Sequence, residues 1–445
     1  MPTQFHKIIF MTLFIILTAT SISYAQSTGP VKVVGRNLQV DFDGNGTYVP
    51  YIVSGVGYSP FPIGTFPTEF GMCSTDSVGN FSCPGVTVYD DPAIMDRDFP
   101  LLNQIHVNTI RVWGDASETL LNKAEEYNLK VIVGFWVDYS LDITNSTVRD
   151  QIKNDFTNYV NSYKNYPAVL FWAIGNENNY YISTANLSQW YSLTNEMAQL
   201  AHTAEGTTYH PVAVINGDIV EIGNATYTSR DVDLPHVDIW GANVYRGLSF
   251  GSLFTDYASQ SSKPLYIAEF GIDAYDNTTG MLQSALQASW AGGLWDELVR
   301  NSDPNFNKGV PSAVAVGGTV FEYSDEYWKS GGQWSRTALD HDNGGSAQPG
   351  SSPDGFLNDE WWGIMQVSDN GVNPDIMTPR EIYNTLYSRF SCVTKGRYHY
   401  AGVENNKVCP KGGTISACCS NPNAKAYQGQ CYLSCPGRLP PLTPR

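Results

Sequence analysis

The sequence predicts an α/β chain folded as a (β/α)8 TIM barrel with a small disulfide-rich C-terminal extension. Three observations carry that expectation. Short apolar runs alternate with helical patterns until eight strands are reached between residues 49 and 323, the signature of parallel strands joined by helical crossovers. Polar and aromatic groups gather where those runs stop, at Tyr58, Arg111, Trp113, Trp136, Asn176, Glu177, Asn243, Tyr245, Glu269, Glu322 and Tyr323. Six of the eight cysteines follow residue 390. An open doubly wound sheet would give a similar alternation. It rarely reaches eight units, and no glycine-rich phosphate fingerprint follows the first strand.

The elements read in order. Val49 to Val56 is a first strand, followed by a loop with Cys73 and Cys83 and a helix across Pro92 to Ile105. Asn108 to Trp113 is the second strand, with a helix over Ser117 to Tyr127; Lys130 to Trp136 is the third, with a helix over Val148 to Tyr163. Val169 to Asn176 is the fourth, followed by a helix from Leu187 to Ala204. Val212 to Asn216 and Val237 to Tyr245 are the fifth and sixth, with a helix near Leu253 to Ser259. Leu265 to Phe270 is the seventh, Met281 to Arg300 a helix, and Ala313 to Tyr323 the eighth. Residues 301–309 and 334–359 are polar and rich in Gly, Ser or Pro, hence loops.

Lys7, the apolar stretch Ile8 to Ala19 and the small residues around Ser23 and Ala25 form a signal peptide over residues 1–25. The catalytic domain is then expected over 26–390 and a Cys-rich module over 391–445. The expected location is secreted and extracellular. No later segment is apolar enough to span a membrane, and the terminal GRLPPLTPR lacks a lipid-anchor tail. Sequons at Asn45, Asn80, Asn145, Asn186, Asn224 and Asn277 fit glycosylation on that route. Cys73, Cys83, Cys392, Cys409, Cys418, Cys419, Cys431 and Cys435 are an even set and read as disulfides, with pairing open. No paired CxxC spacing points to zinc. No metal and no cofactor is expected.

The net charge of −17 argues against nucleic acid and anionic membranes, and suits a neutral polysaccharide. A monomer is expected. Aromatic residues make up 13 % of the chain. That is either a large core or a sugar cleft, and position must decide.

Glu177 and Glu269 each close a buried apolar run, a costly place for a carboxylate. Paired strand-end carboxylates are the apparatus of glycoside cleavage. One carboxyl must stay protonated near neutrality to protonate a poor leaving group, and burial beside a like charge achieves this. The other must stay ionised to attack the anomeric carbon, and Arg111 would hold it charged. Tyr245 could donate to the nucleophile, and Asn176 could bind the sugar 2-hydroxyl.

These residues resemble clan A glycoside hydrolases, with Asn-Glu ending a fourth strand and Glu ending a seventh. Within the clan the chain is similar to family 72, the β-1,3-glucanosyltransferases of fungal walls. DDPAIMDRDFPLLNQIHVNTIRVW, YPAVLFWAIGNENN, GGTVFEYSDEYWKSGG and EWWGIMQV carry that resemblance over roughly residues 50 to 370. IAEFGIDAYD resembles family 2 glycosidases equally well, and TIRVWGD is similar to family 5 mannanases. The resemblance implies Glu177 as acid/base and Glu269 as nucleophile, assisted by Tyr245, Arg111 and Asn176. It implies a secreted, cell-wall-associated retaining enzyme that elongates or remodels β-1,3-glucan by double displacement. Tyr58, Trp136, Tyr245, Tyr323 and Trp328 are expected to bind the sugar chain. A hydrolytic β-glucanase or β-mannanase is the alternative.

Rival readings come from other classes. Gly247 to Gly251 fits the GxSxG elbow of a serine esterase around Ser249. A silent carbohydrate-binding protein would have no need of both glutamates. Asn195-Glu196 repeats the Asn-Glu pair on what reads as a solvated helix face. Trp172 reads as core, and Trp113, Trp136 and Trp328 as core or cleft. Glu322 is expected to stand behind the catalytic pair. The tail tyrosines Tyr398, Tyr400, Tyr427 and Tyr432 fit a small carbohydrate-binding module or a brace.

Overall fold

The computed structural model describes residues 29–63, 88–114, 116–302, 312–330, 341, 345–348, 350, 352–371 and 374–390. It describes the backbone alone of 74–75, 81–82, 331–332, 424–427 and 430–433. The expected signal peptide, the side chains of all eight cysteines and Asn80 lie outside the described residues.

Eight parallel strands close into a barrel: β1 (Val53–Gly57), β2 (Thr109–Val112), β3 (Lys130–Phe135), β4 (Val169–Ile174), β5 (Val212–Gly217), β6 (Ile239–Asn243), β7 (Leu265–Phe270) and β8 (Ala315–Val320). Each pairs with its neighbour in sequence, and β8 returns to β1. Nearly every strand residue is buried, because one face meets the barrel interior and the other the helices. That is why the strands read as unbroken apolar runs.

The helices are α1 (Pro92–Gln104), α2 (Glu118–Glu126), α3 (Ser146–Tyr163), α4 (Asn178–Tyr181), α5 (Leu187–Glu205), α6 (Leu253–Gln260), α7 (Ser284–Arg300) and α8 (Glu381–Phe390). Local chemistry starts the first three. Asp91, Ser117 and Asn145 each stand before a first turn and accept a backbone N–H from Ala93, Leu120 and Thr147. Pro92 fits the first turn of α1, where no N–H is needed. The inward stripe of α3 is Ile152, Phe156 and Val160, one residue per turn.

Two cores result. The outer one packs Val112, Val133, Trp172, Val214, Trp240 and Ile267 against the helices. The inner one holds Ile132, Phe171, Ala213, Ile239, Tyr266 and Val316. It also takes Val31, Leu38 and Val40 from an antiparallel sheet of Val31–Val34, Asn37–Val40 and Val49–Pro50, which covers the end where the strands begin.

Some expected boundaries are corrected. Val49 and Pro50 belong to that covering sheet, so the barrel strand starts at Val53. Met281 and Leu282 pair with Tyr275 and Asp276 in a two-rung hairpin, and the helix starts only at Ser284. Residues 356–357 of the expected loop form a short strand, and a 3₁₀ turn over 359–361 begins at the loop's last residue. Beyond β8, Met365–Ser368 pairs with Ile376–Pro379 before α8 packs beside α7. In the expected Cys-rich module, 424–427 and 430–433 pair as a hairpin. Among the described residues no helix is long and apolar enough to cross a membrane.

Candidate active site

The strand ends converge on two carboxylates. Glu269 is the fifth residue of β7, and the strand register sets Asn243 of β6 directly beside it after a local shift at Ala242. Its side chain faces three donors. Arg111 Nη1 and Trp113 Nε1 reach Oε1 at 2.9 and 2.8 Å, and the Tyr245 hydroxyl donates to Oε2 at 2.8 Å. Three donors, one of them cationic, thus converge on this one carboxylate. Arg111 is almost wholly buried at 1 % exposure, so its attraction to Glu269 is little screened. Trp113 reaches Glu269 by lying across the end of β1, where a Cβ on Gly57 would stand 2.6 Å from the indole. Only glycine leaves that space.

Glu177 follows β4 in the left-handed region, at φ 56° and ψ 20°, and stands before the first turn of α4. A side chain pays about 1–2 kcal/mol there, so the surroundings must hold it. Gly175 takes the preceding positive φ of 69°. Asn178 accepts from the Asn176 N–H and donates to the Val137 carbonyl. Asn179 accepts from the Gly217 N–H and donates to the Gly217 carbonyl. The run Gly-Asn-Glu-Asn-Asn is thus one turn with amide ties to the ends of β3 and β5.

The two glutamates share a network. Asn243 donates to Glu177 Oε1 at 2.9 Å and to Asn176 Oδ1 at 3.1 Å. Arg111 Nη2 donates to the same Asn176 oxygen at 2.8 Å. Both donors fix the Asn176 amide so that its NH2 is left for a ligand. Glu177 is pushed up to about 7, first by burial and then by the Glu269 charge, against the Asn243 hydrogen bond and the charges of Arg111 and Lys329. Tyr245 is raised well above the usual phenol range, by burial and then by Glu269 and Glu177, so it remains a donor. One carboxylate is flanked by donors and the other holds a proton near neutrality. That division suits a nucleophile and a general acid.

An aromatic wall stands beside the pair. Trp113, Phe321 and Trp362 form a cluster against which Trp136, Tyr245 and Leu357 pack. The rings meet edge to face, with centroids 5.8 Å apart for Trp113 and Phe321 and 5.2 Å for Tyr245 and Trp362.

The structure brings Arg111, Asn176, Glu177, Tyr245, Glu269 and half-buried Trp136 together. It sets Tyr58, Tyr323 and Trp328 apart, and their expected role as sugar platforms is corrected. Tyr58 and Tyr323 are fully buried, and their hydroxyls donate to the two oxygens of Asp98 on α1 at 3.0 and 2.8 Å. Arg97 completes that carboxylate. Trp328 is 2 % exposed and packs edge-on against Phe61. Glu322 is also fully buried, and burial first, then the Glu326 charge, raises its carboxyl well above the usual carboxylate range. Lys329 pairs with Glu326.

Other expectations resolve the same way. The Ser249 hydroxyl donates to Glu297 at 3.0 Å and lies in the loop after β6, with no histidine among its hydrogen-bond partners in the described residues. Trp172 is core. Asn195 and Glu196 are half-buried rather than solvated. Asn195 accepts from the His236 N–H, and Glu196 pairs with Arg149 and Lys153 of α3. Asn243 stands at a strand end in the sequence, but nothing in the local pattern marks it as the bridge between Glu177 and Asn176. Trp362 was visible only inside EWWGIMQV.

Comparison with known proteins bears on this site. Residues 90–294, which include both glutamates, match the family model for the glycosyl hydrolases family 2, TIM barrel domain. A search of curated protein sequences found no match. Among solved structures, a family 2 β-galacturonidase from Eisenbergiella tayi is 13 % identical, covers 81 % of this chain and 53 % of its own, and superposes with a TM-score of 0.50. The β-glucuronidase of Bifidobacterium dentium is 15 % identical, with 81 % and 49 % covered and a TM-score of 0.51. Saccharomyces cerevisiae Gas2p, in a complex of a mutant with laminaritetraose and laminaripentaose, is 14 % identical, with 82 % and 68 % covered and a TM-score of 0.51. The chain thus spans about half the length of the first two, and at these identities the likeness is one of fold. The family match and the barrel agree that the chain carries a glycoside hydrolase TIM-barrel domain.

Proposed function

We propose that the protein is a retaining glycosidase and transglycosylase acting on a neutral β-linked glucan, with β-1,3-glucan its first candidate substrate. The observation that carries the reading is the asymmetry of the pair. Glu269 accepts from Arg111, Trp113 and Tyr245, while Glu177 is pushed up to about 7. In this mechanism Glu269 attacks the anomeric carbon as Glu177 protonates the departing glycosidic oxygen. Glu177, now ionised, then takes a proton from water or from a sugar hydroxyl that displaces Glu269. The Asn176 NH2 faces the 2-hydroxyl, a contact that tightens in the transition state.

A neutral substrate is supported by the charges. Arg111 is engaged with Glu269 and Lys329 with Glu326. Neither is left for a uronate carboxylate, and the chain carries −17 overall. Export, glycosylation and disulfide formation belong to the same proposal and rest on the leader-like segment, the sequons and the cysteines.

The test is product analysis on reduced laminari-oligosaccharides, with the anomer of early products followed by NMR. Retained configuration and oligomers longer than the donor are expected. Inverted products would overturn the mechanism. Shorter products alone at every concentration would overturn transfer and leave a hydrolase.

A further inference from the structure

The aromatic residues expected to carry the sugar chain are mostly buried, yet two others are not. Tyr139 is 46 % and Tyr181 58 % exposed. Their rings stack on each other with centroids 4.5 Å apart and planes within 23°. Single exposed rings are common, whereas a stacked and exposed pair offers a contiguous apolar face to a ligand. Here a ring from the loop after β3 and a ring from α4, the turn that Glu177 opens, are brought together in water.

Both segments are fixed. Tyr139 stands in the loop after β3, where Asp138 accepts the Ser140 N–H at 2.7 Å and the Leu141 N–H meets the Asp138 carbonyl. Tyr181 ends α4, the one-turn helix that Glu177 opens. The N–H of Tyr180 donates to the Glu177 carbonyl, and that of Ile182 to Asn178. Tyr181 is therefore held one helical turn from the proposed acid. Its phenol is raised by partial burial first and then by Glu177, Tyr139, Asp359 and Glu269, which sets it within the field of both carboxylates.

The acid protonates the oxygen that departs, so the sugars of the leaving group lie on the Glu177 side. We propose that Tyr139 and Tyr181 form a saccharide-stacking subsite on that side, taking the apolar face of a neutral β-linked hexopyranose. The inference rests on the glycosidase reading for which side of the cleft this is. The same subsite receives the acceptor sugar when the glycosyl-enzyme is resolved by transfer. Aromatic faces suit pyranose C–H groups, and the nearby Asp359, Glu177 and Glu269 disfavour an anionic sugar.

The experiment titrates the inactive Glu269→Gln protein calorimetrically with reduced pentasaccharides of the laminari, cello and manno series and with pentagalacturonide. At least one neutral oligomer should bind. Adding Tyr139→Ala or Tyr181→Ala should weaken it about tenfold, a factor equal to about 1.4 kcal/mol. Adding Tyr139→Phe or Tyr181→Phe, which keeps the ring, should leave it unchanged. In otherwise native enzyme the alanine variants should lose about tenfold in kcat/KM on the oligomer and far less on a glycosyl fluoride, whose leaving group places no ring on that side. Equal losses on both substrates, unchanged binding, binding of pentagalacturonide alone, or no binding at all would each overturn the subsite. Tyrosine-dependent binding in a native enzyme that turns nothing over would uphold the subsite and defeat the glycosidase reading.

Discussion

Replacing Glu177 by Gln should stabilise the protein at mildly alkaline pH and leave its stability unchanged in acid. The Glu177 carboxyl is pushed from an ordinary 4.5 up to about 7, by burial first and by Glu269 second. A group whose folded value lies above its unfolded one holds its proton more tightly in the native state. Below about pH 4.5 both states are protonated and Glu177 carries no penalty. Between there and pH 7 the unfolded chain releases its proton first, so stability falls. Above pH 7 the native carboxyl is ionised too, and the whole penalty stands. At about 1.4 kcal/mol for each pH unit of that window, it amounts to about 3 kcal/mol. Gln keeps the shape and an acceptor for the Asn243 amide, now 2.9 Å from Oε1, and does not titrate. Urea unfolding of both proteins at pH 4, 6 and 8 reads the difference directly, because titrating groups that do not interact with Glu177 cancel in each comparison. The variant should match the parent at pH 4 and exceed it by up to about 3 kcal/mol at pH 8. An equal difference at both ends would refute the claim that Glu177 is a buried acid pressed by a neighbouring charge. The same substitution removes the proposed proton donor, so stability and activity should move in opposite directions.

Other outcomes follow from the same contacts. On natural glycosides kcat/KM should fall about tenfold per pH unit above about pH 7, and an aryl glycoside with a good leaving group should lack that limb; a pH–rate series on both substrates checks it. Trp113→Phe and Tyr245→Phe each take one donor from Glu269, so kcat should drop about 10- to 100-fold in steady-state kinetics with KM little changed. Tyr58→Phe leaves Asp98 one partner short, and denaturant unfolding should show a loss of about 1 kcal/mol while KM stays fixed; a raised KM would return Tyr58 to the cleft. Ser249→Ala should leave turnover intact, and its abolition would revive the esterase reading.

The barrel was legible because its strands are buried on both faces and therefore read as continuous apolar runs. The catalytic candidates were legible because Glu177 and Glu269 interrupt such runs. Tyr58 and Tyr323 show where this stops. A strand-end position gives height along the barrel but not direction, and these side chains turn outward to α1 because Asp98 is there to receive them. Nothing in the helix pattern around Asp98 marks it as a buried carboxylate. Trp328 stands in a 3₁₀ turn after β8, and its burial beside Phe61 depends on a partner far away in the sequence. Met281 and Leu282 were absorbed into a helix because a two-rung hairpin is too short to show a period. Tyr139 lies on a loop and Tyr181 on α4, and only folding makes them a pair. The half-burial of Asn195 and Glu196 depends on α3 and on His236, which no local window contains.

Asp98 also bears on how a nascent chain is judged. Its two phenol partners follow the first and last strands of the ring, and α1 is made soon after the first. During synthesis the helix is complete some two hundred residues before Tyr323 appears. Until then this carboxylate, which burial pushes upward and Arg97 and the phenols pull back, lacks one of its stabilisers. A chain that stops short of β8 therefore keeps an under-satisfied acid at its seam as well as an open strand edge on β1. Both features disfavour a persistent partial barrel and leave it open to proteases. Completion of the ring is registered at a position translated near its beginning.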